Sequence, residues 1–146
     1  MKMVFLILAS SLLCNTSDWL YDFDQAKQIA KESNKMILLN FSGSDWCGPC
    51  INLKKKIFDS EEFSNYATGH LLLVNADFPR LKKNQLSAEQ TKQNEALAEK
   101  YNQEGSFPYT VLLNAEGKVL KKWTGFPDET PEMFVQEIKS FSNVTN

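Results

Sequence analysis

Two cysteines separated by two residues, Cys47 and Cys50, are the side chains of this 146-residue chain whose types and spacing could do chemistry. Thiols at this spacing can close into a disulfide and open again, because attack of a thiolate on a disulfide sulfur is reversible. Gly48 and Pro49 stand between the cysteines, and Trp46 precedes them. The spacing therefore predicts a redox-active pair.

A helix predicted over residues 51–58 gives the two cysteines different roles. Cys47 should lie at its N-terminus, where unpaired backbone N–H groups and the helix dipole stabilise an anion. Such a position lowers a thiol pKa from about 8.5 to about 7 or below, a preference of roughly 2 kcal/mol for the thiolate. Cys47 is therefore expected to attack a partner's disulfide, and Cys50, which should be more buried, to resolve the mixed disulfide. Pro49 suits the first helical turn, and Gly48 leaves the sulfur uncovered.

A zinc site and a static structural disulfide are the two other interpretations of the cysteine pair. A zinc site needs four ligands, and beyond the pair the chain offers only Cys14 and His70 as cysteine or histidine ligands. Cys14 lies in a segment that is expected to be removed, so we expect no metal site. A disulfide that closes so short a loop adds little chain-entropy stabilisation, which disfavours a purely structural bridge.

The composition fits one packed domain. Apolar residues make up 42% of the chain and aromatic residues 12%, which suffices for the core of such a domain. The net charge of −2 and the pI near 5.5 argue against a nucleic-acid partner, because such a partner requires a basic surface. No cofactor is expected.

The first 17 residues are predicted to form a leader that is removed from the mature chain. Lys2 precedes an apolar stretch over residues 4–13, and a short polar segment follows, the pattern of a secretory signal peptide. A buried first strand or helix is the alternative. Cys14 also resembles the cysteine of a bacterial lipoprotein box, in which it would be acylated. Either leader places the domain, residues 18–146, in the periplasm or outside the cell, where disulfides persist.

The periodicity of apolar residues predicts an α/β domain. Apolar runs predict buried strands over 36–41 and 71–76, and two β-rich runs around a glycine-containing turn predict a hairpin. Two early strands joined through a helix should be parallel and the hairpin antiparallel, which gives one mixed sheet with helices on both faces. Five helices are predicted, over 18–32, 51–58, from Asp59 or Ser60 through Tyr66, 88–103 and 131–141. Asp22 or Asp24 is the expected N-cap of the first helix, and Thr130 that of the last. The hairpin strands are predicted over 109–113 and 118–124.

This order of elements, with residues 46–50 directly after the first buried strand and a proline before the hairpin, resembles the thioredoxin family over residues 24–141. The run from Trp46 to Cys50 is identical to the active-site pentapeptide typical of thioredoxins. The resemblance implies a thioredoxin-like fold, with a central mixed sheet flanked by helices. Secreted thioredoxin-like domains, including the C-terminal domain of the transmembrane thiol:disulfide interchange reductases, are also similar after the active helix, at Ile57, Phe58, Asp59, Ser60 and Glu62.

The resemblance further implies a substrate-binding surface beside the cysteines. Pro108 stands where the family has a cis-proline facing the cysteines, and the backbone of Phe107 would then pair with a substrate strand. Gly125 occupies the place of a family glycine that keeps the groove open. An ordinary trans-proline at the start of a strand and a plain turn glycine are the alternatives. Six residues are therefore expected to bind substrate: Trp46, Gly48, Pro49, Phe107, Pro108 and Gly125.

Two features depart from the family pattern. One extra residue lies between Phe41 and Cys47, and the strand carboxylate that assists proton transfer in thioredoxins has no clear equivalent, since the nearest residue is Asn40. Asp45 could replace that carboxylate or could be a solvated cap of the turn. The stretch 79–90 is longer than the family connection, and it forms either part of a partner surface or a tolerated loop.

Together these residues predict an extracytoplasmic thiol:disulfide oxidoreductase that reduces protein disulfides and is restored by an electron-donating thiol protein. The Gly-Pro dipeptide favours reduction, whereas the oxidising compartment favours a disulfide oxidase or isomerase. The alternative from another class is a binding module that uses the groove around Trp46, Phe107 and Pro108 and keeps its cysteines closed. A monomer is expected.

Overall fold

The computed structural model describes residues 18–142 as a five-stranded sheet with helices packed on both faces. The helix Gly48–Leu53 continues without a break into a π-helical stretch, Lys54–Phe58, and a 3-10 turn forms at Lys82–Asn84. In chain order the elements are β1 (Trp19–Leu20), α1 (Phe23–Ser33), β2 (Met36–Ser42), α2 (Gly48–Leu53), α3 (Glu61–His70), β3 (Leu71–Asp77), α4 (Ala88–Tyr101), β4 (Tyr109–Leu113), β5 (Val119–Thr124) and α5 (Pro131–Phe141).

The sheet has the strand order β1-β3-β2-β4-β5. Strand β3 runs parallel to β1 and β2, whereas β4 is antiparallel to β2 and β5 is antiparallel to β4. The predicted mixed sheet is therefore confirmed. Every residue of the central strand β2 is buried, because strands flank it on both edges and helices cover both of its faces. Its C-terminal end leads the chain directly to the cysteine pair.

Alternate residues of β2 contribute to the two halves of the core. Leu38 faces the side formed by α3, α5 and the π-helical stretch, whereas Ile37, Leu39 and Phe41 face the side formed by α1 and α4. The π-helical stretch extends the helix that carries the cysteines, and its residue Ile57 is fully enclosed in the first core. Core packing therefore fixes that helix against the sheet.

The N-terminal element differs from the predicted helix. Trp19 and Leu20 form the short strand β1, which pairs with β3, and helix α1 begins only after Asp22. The carboxylate of Asp22 accepts a hydrogen bond from the backbone N–H of Gln25 at 2.9 Å, which confirms it as the N-cap. The ring of Trp19 packs against that of Phe58 with centroids 5.0 Å apart. Strand pairing and this contact outweigh the helical periodicity of the segment.

The other boundaries differ little from those predicted. Strands β2 and β3, the hairpin of β4 and β5, and helix α5 with its Thr130 cap are all confirmed. Helix α3 begins after Ser60 as predicted but continues past Tyr66 to His70. Helix α4 ends at Tyr101, earlier than predicted. These shifts at helix ends leave the arrangement of strands around the cysteines unchanged.

Candidate active site

The two cysteines form a disulfide at the start of α2, beyond the turn that follows the central strand. Cys47 is the N-cap of the helix, and its sulfur accepts a hydrogen bond from the backbone N–H of Cys50 at 3.2 Å. The helix begins at Gly48, before the predicted residue 51, and Pro49 lies in its first turn, where a missing N–H leaves no hydrogen bond unmade. The predicted position of Cys47 is confirmed, and it is a setting that stabilises a thiolate.

The predicted difference in burial between the two cysteines is wrong for this disulfide form. Cys47 is 5% exposed and Cys50 is 4% exposed, so both cysteines are buried to nearly the same extent. Their surroundings do differ. The sulfur of Cys47 accepts an N–H at the helix start, whereas Cys50 lines a pocket beside the helix. The asymmetry between the two thiols therefore rests on that hydrogen bond and not on burial.

Trp46 links the redox pair to the neighbouring segments. Its indole N–H donates to the carbonyl oxygen of Phe78 at 2.7 Å, and its ring meets that of Phe107 edge to face, with centroids 5.4 Å apart. Gly43 lies so close to the indole that a Cβ at this position would be 2.3 Å from the ring. The turn before Cys47 therefore accommodates the indole only because residue 43 is a glycine.

The loop before β4 brings the predicted substrate residues to the same place. The Phe107–Pro108 peptide bond is cis, Pro108 is buried, and the ring of Phe107 contacts Trp46. Gly125 donates its N–H to the carbonyl oxygen of Pro108 at 2.8 Å and has a φ of +77°, a conformation that favours glycine. At the helix start, Gly48 faces open space, since a Cβ there would meet no atom within 4 Å. These contacts connect Gly125, Pro108 and Phe107 to Trp46, which directly precedes Cys47.

Asp45 is bonded to the loop that follows β3. One carboxylate oxygen accepts the backbone N–H of Arg80 at 2.9 Å, and the other accepts the N–H of Leu81 at 2.9 Å and the side-chain amide of Asn84 at 3.0 Å. The hydrogen bond from Arg80 is the largest of the effects that lower the pKa of Asp45. Of the two interpretations of Asp45, these bonds favour the cap, and the segment that it caps belongs to the longer stretch 79–90.

Arg80 is a residue of the site that the sequence did not reveal. Its guanidinium carbon lies 3.7 Å from the centroid of the Trp46 ring, which is a cation–π contact. The available signal was a cluster of cations, Arg80, Lys82 and Lys83, in a stretch without strand or helix periodicity. The position of Arg80 over Trp46 depends on the path of the loop, which the sequence pattern does not specify.

Asp77 is a second such residue, and it lines a pocket of about 480 Å³ beside Cys50. Its carboxylate accepts hydrogen bonds from the backbone N–H of Ser44 at 2.9 Å and from the hydroxyl of Ser44 at 2.5 Å. Asn40 also lines this pocket, but its amide does not titrate and is hydrogen-bonded to the neighbouring strands β3 and β4. The parallel register of β2 and β3, which sets Ser42 opposite Asp77, brings this carboxylate to the pocket that Cys50 also lines.

Comparisons with known proteins assign the family. A family model described as a thioredoxin-like domain matches residues 23–142. The disulfide bond reductase DsbH of Chlamydia pneumoniae is 38% identical over 118 residues, which cover 81% of this chain and 69% of that protein. The solved structure of a DsbH oxidoreductase has a TM-score of 0.78 at 35% identity, over 87% of this chain and 85% of that chain. The C-terminal domain of Neisseria meningitidis DsbD, in its oxidised form, shares the fold with a TM-score of 0.55 at 17% identity, over 80% of this chain and 90% of that chain.

The chain belongs to the thioredoxin family of thiol:disulfide oxidoreductases. The predicted family and fold are therefore confirmed, and the protein is a protein-disulfide oxidoreductase. Within residues 18–142, no group of three or more His, Cys, Asp or Glu side chains could hold a metal ion. None of the helices in the described part of the chain combines the length and the apolar character needed to cross a membrane.

Gly43→Ala is expected to displace the Trp46 indole, since the added Cβ would lie within 2.6 Å of three ring atoms. We expect the free energy of unfolding to fall by about 1–3 kcal/mol and the tryptophan fluorescence to change. Gly69→Ala is the matched control, because a Cβ at this position in α3 meets no atom within 4 Å. Urea unfolding followed by fluorescence compares the two variants. Equal effects would contradict the close contact described at Gly43.

Proposed function

We propose that this oxidoreductase works as a reductase of disulfides in other proteins, outside the cytoplasm. The observation that carries the exchange chemistry is the hydrogen bond from the Cys50 N–H to the Cys47 sulfur, which would stabilise an attacking thiolate at Cys47 once the disulfide is open. The Gly-Pro dipeptide between the cysteines supports the reducing direction, as does the similarity to DsbH, which is named a disulfide bond reductase.

The proposed reaction has two exchange steps. The thiolate of Cys47 attacks one sulfur of the partner's disulfide, and the other sulfur leaves as a thiolate that takes up a proton. This step forms a mixed disulfide between Cys47 and the partner. Cys50 then loses its proton and attacks the sulfur of Cys47, which releases the partner as a dithiol and leaves the Cys47–Cys50 disulfide. The partner has gained two electrons, and an electron-donating thiol protein restores the reduced pair.

The surface around the disulfide is proposed to hold the partner as an extended segment. The backbone of Phe107 would pair with this segment, and the hydrogen bond from Gly125 to the carbonyl oxygen of Pro108 stabilises the turn that presents it. Main-chain pairing of this kind gives affinity that does not depend on the partner's side chains. The remaining residues of the proposed surface border the cysteines: Trp46, Gly48 and Pro49.

Asp77 is proposed to receive the proton that Cys50 loses. A thiol attacks a disulfide only after it has lost its proton, and a carboxylate reached through water can accept that proton. Both residues line the same pocket, and the hydrogen bonds from Ser44 hold the carboxylate there. Lys54 also lines the pocket, but its amine is paired with the carboxylate of Asp59 at 2.8 Å. Asp77 thereby takes the role for which Asp45 was the candidate.

The extracytoplasmic location is proposed from the first 17 residues, which lie outside the described part of the chain. Their pattern supports a secretory leader that is removed. The alternative is a lipoprotein leader, in which Cys14 would be acylated. In that compartment the protein is proposed to act as a monomer on protein disulfides. The division of the chain into this leader and a domain over residues 18–146 is part of the proposal.

Cys47→Ser is expected to abolish the reduction of a protein disulfide with dithiothreitol as electron donor, because the attacking thiolate is lost. Cys50→Ser keeps that thiolate and should accumulate a mixed disulfide through Cys47, which non-reducing electrophoresis detects. Cys14→Ser, the same change at the third cysteine of the full chain, should leave the rate unchanged. In the reduced protein, iodoacetamide should modify Cys47 first at neutral pH. Preferential modification of Cys50, or an unaltered rate in Cys47→Ser, would contradict the assignment.

Asp77→Asn is expected to slow the release of the partner from the mixed disulfide with Cys47 by about tenfold or more at neutral pH. The amide keeps the size of the side chain and can still accept a hydrogen bond from Ser44, but it cannot take up a proton. The deficit should fade as the pH rises past about 8.5, the ordinary pKa of a cysteine thiol, because solvent can then remove the proton without a carboxylate. Asp24→Asn, at a carboxylate that is 88% exposed on α1, is the control.

Stopped-flow measurement of partner release between pH 6 and 9 gives the profile of Asp77→Asn. A deficit of the same factor at every pH would rule out the proton transfer. Asp77 would then serve only to hold Ser44 in place.

A further inference from the structure

The segment after β3 places positive charge next to the redox pair. Arg80, Lys82 and Lys83 are exposed, and residues 79–88 contain no acidic side chain. None of these three cations takes part in the ion pairs found within residues 18–142. Because the whole chain carries a net charge of −2, this segment is a local excess of positive charge.

Hydrogen bonds fix this segment against the active site. The carboxylate of Asp45 accepts the backbone N–H groups of Arg80 and Leu81, and the Trp46 indole donates to the carbonyl oxygen of Phe78 just before them. Asp45 itself adjoins Trp46 in the turn before the cysteines. The position of the segment is therefore set before a partner binds, which reduces the entropy lost on binding.

The guanidinium of Arg80 lies over the Trp46 ring and is available to a second partner. Its carbon is 3.7 Å from the ring centroid, and a stacked guanidinium keeps N–H donors at its edge. The carboxylate of Asp45 bonds to backbone N–H groups of the loop and to an amide, and it forms no ion pair with Arg80. Because Trp46 directly precedes Cys47 in the chain, these donors lie on the aromatic side chain next to the redox pair in sequence.

We propose that residues 79–84 recognise acidic side chains that flank the reactive disulfide of the partner, with Arg80 as the specificity-determining residue. This inference rests on the proposed function and names the class of partner on which it acts. A carboxylate can accept two parallel hydrogen bonds from the N–H groups of a guanidinium. These charge-assisted hydrogen bonds are stronger than those that a neutral amide would accept. Lys82 and Lys83 add longer-range attraction, which raises the association rate of an acidic partner. Leu81, which is 47% exposed, adds apolar surface between these cations.

The lysine run that follows α2 offers no comparable site. The amine of Lys54 is paired with Asp59, and the amine of Lys56 lies 5.6 Å from the centroid of the Phe126 ring. Neither makes a contact with the aromatic group beside Cys47. The charge complementarity therefore points to the segment 79–84.

Three peptides that differ only in the residues next to one cysteine test the proposal. The cysteine is flanked by aspartate, asparagine or lysine, and it is held in a disulfide with thionitrobenzoate, whose release is coloured. The enzyme is reduced with dithiothreitol and freed of it beforehand, so that the Cys47–Cys50 dithiol supplies the two electrons. For the wild-type enzyme we expect kcat/KM to be about fivefold higher for the aspartate peptide than for the asparagine peptide, the upper range for exposed ion pairs. The lysine peptide should be the slowest. Salt at about 0.5 M should reduce the differences.

Variants of the cations assign the preference to particular residues. Arg80→Gln should bring the ratio of aspartate to asparagine peptide from about five to near one. Arg80→Lys, which keeps the charge and loses the paired donors, should give an intermediate ratio. Lys31→Gln removes the same charge in the last turn of α1, at the opposite end of β2 from the cysteines, and should keep the wild-type ratio.

An equal loss of kcat/KM for all three peptides in Arg80→Gln would overturn the proposal, because Arg80 would then act on Cys47 and not on the partner. A wild-type ratio near one, or a lost ratio in Lys31→Gln, would overturn it as well. Turnover of the asparagine peptide by the wild type tests the reductase separately. Its absence, or its persistence in Cys47→Ser, defeats the proposed function itself, whereas a changed ratio concerns recognition alone.

Discussion

The active site depends on the hydrogen bond between the Cys47 sulfur and the backbone N–H of Cys50 at the N-terminus of α2. Strand β2 is buried along its whole length and ends just before the turn that leads to α2, so the sheet determines where the helix begins. The N–H of Cys50 then meets the sulfur at 3.2 Å, which favours negative charge on it. The stretch Lys54–Phe58 anchors the same helix in the core. The fold therefore places Cys47 at a helix N-terminus, and that position governs the reactivity of its thiol.

A second set of contacts makes the segment after β3 part of the site. The indole of Trp46 fits against Gly43, donates to a carbonyl oxygen of this segment and lies under the guanidinium of Arg80. Asp45 holds the backbone of the segment, which lowers the pKa of Asp45 chiefly through the N–H of Arg80. The first half of the stretch 79–90 is therefore hydrogen-bonded to the turn before the cysteines.

Features that depend on local pattern were predictable from the sequence. The spacing of Cys47 and Cys50 before a helix placed the first sulfur at the N-terminus, and the apolar runs predicted the sheet. Asp77 was missed because it bonds to Ser44 across 33 residues, and Arg80 because it reaches the site through tertiary contacts. Strand β1 was missed for a similar reason, since a two-residue strand is defined by its partner and not by its own periodicity.

The reduction potential of the Cys47–Cys50 pair, measured by equilibration with glutathione at pH 7, tests most directly whether the chain works as a reductase. Reducing proteins with this cysteine spacing lie near about −270 mV and strongly oxidising ones near about −120 mV, a difference of roughly 7 kcal/mol for two electrons. We predict a potential below about −230 mV. A value above about −180 mV would contradict the reductase, since the disulfide would then take electrons from protein thiols and the dithiol would be a poor donor to protein disulfides.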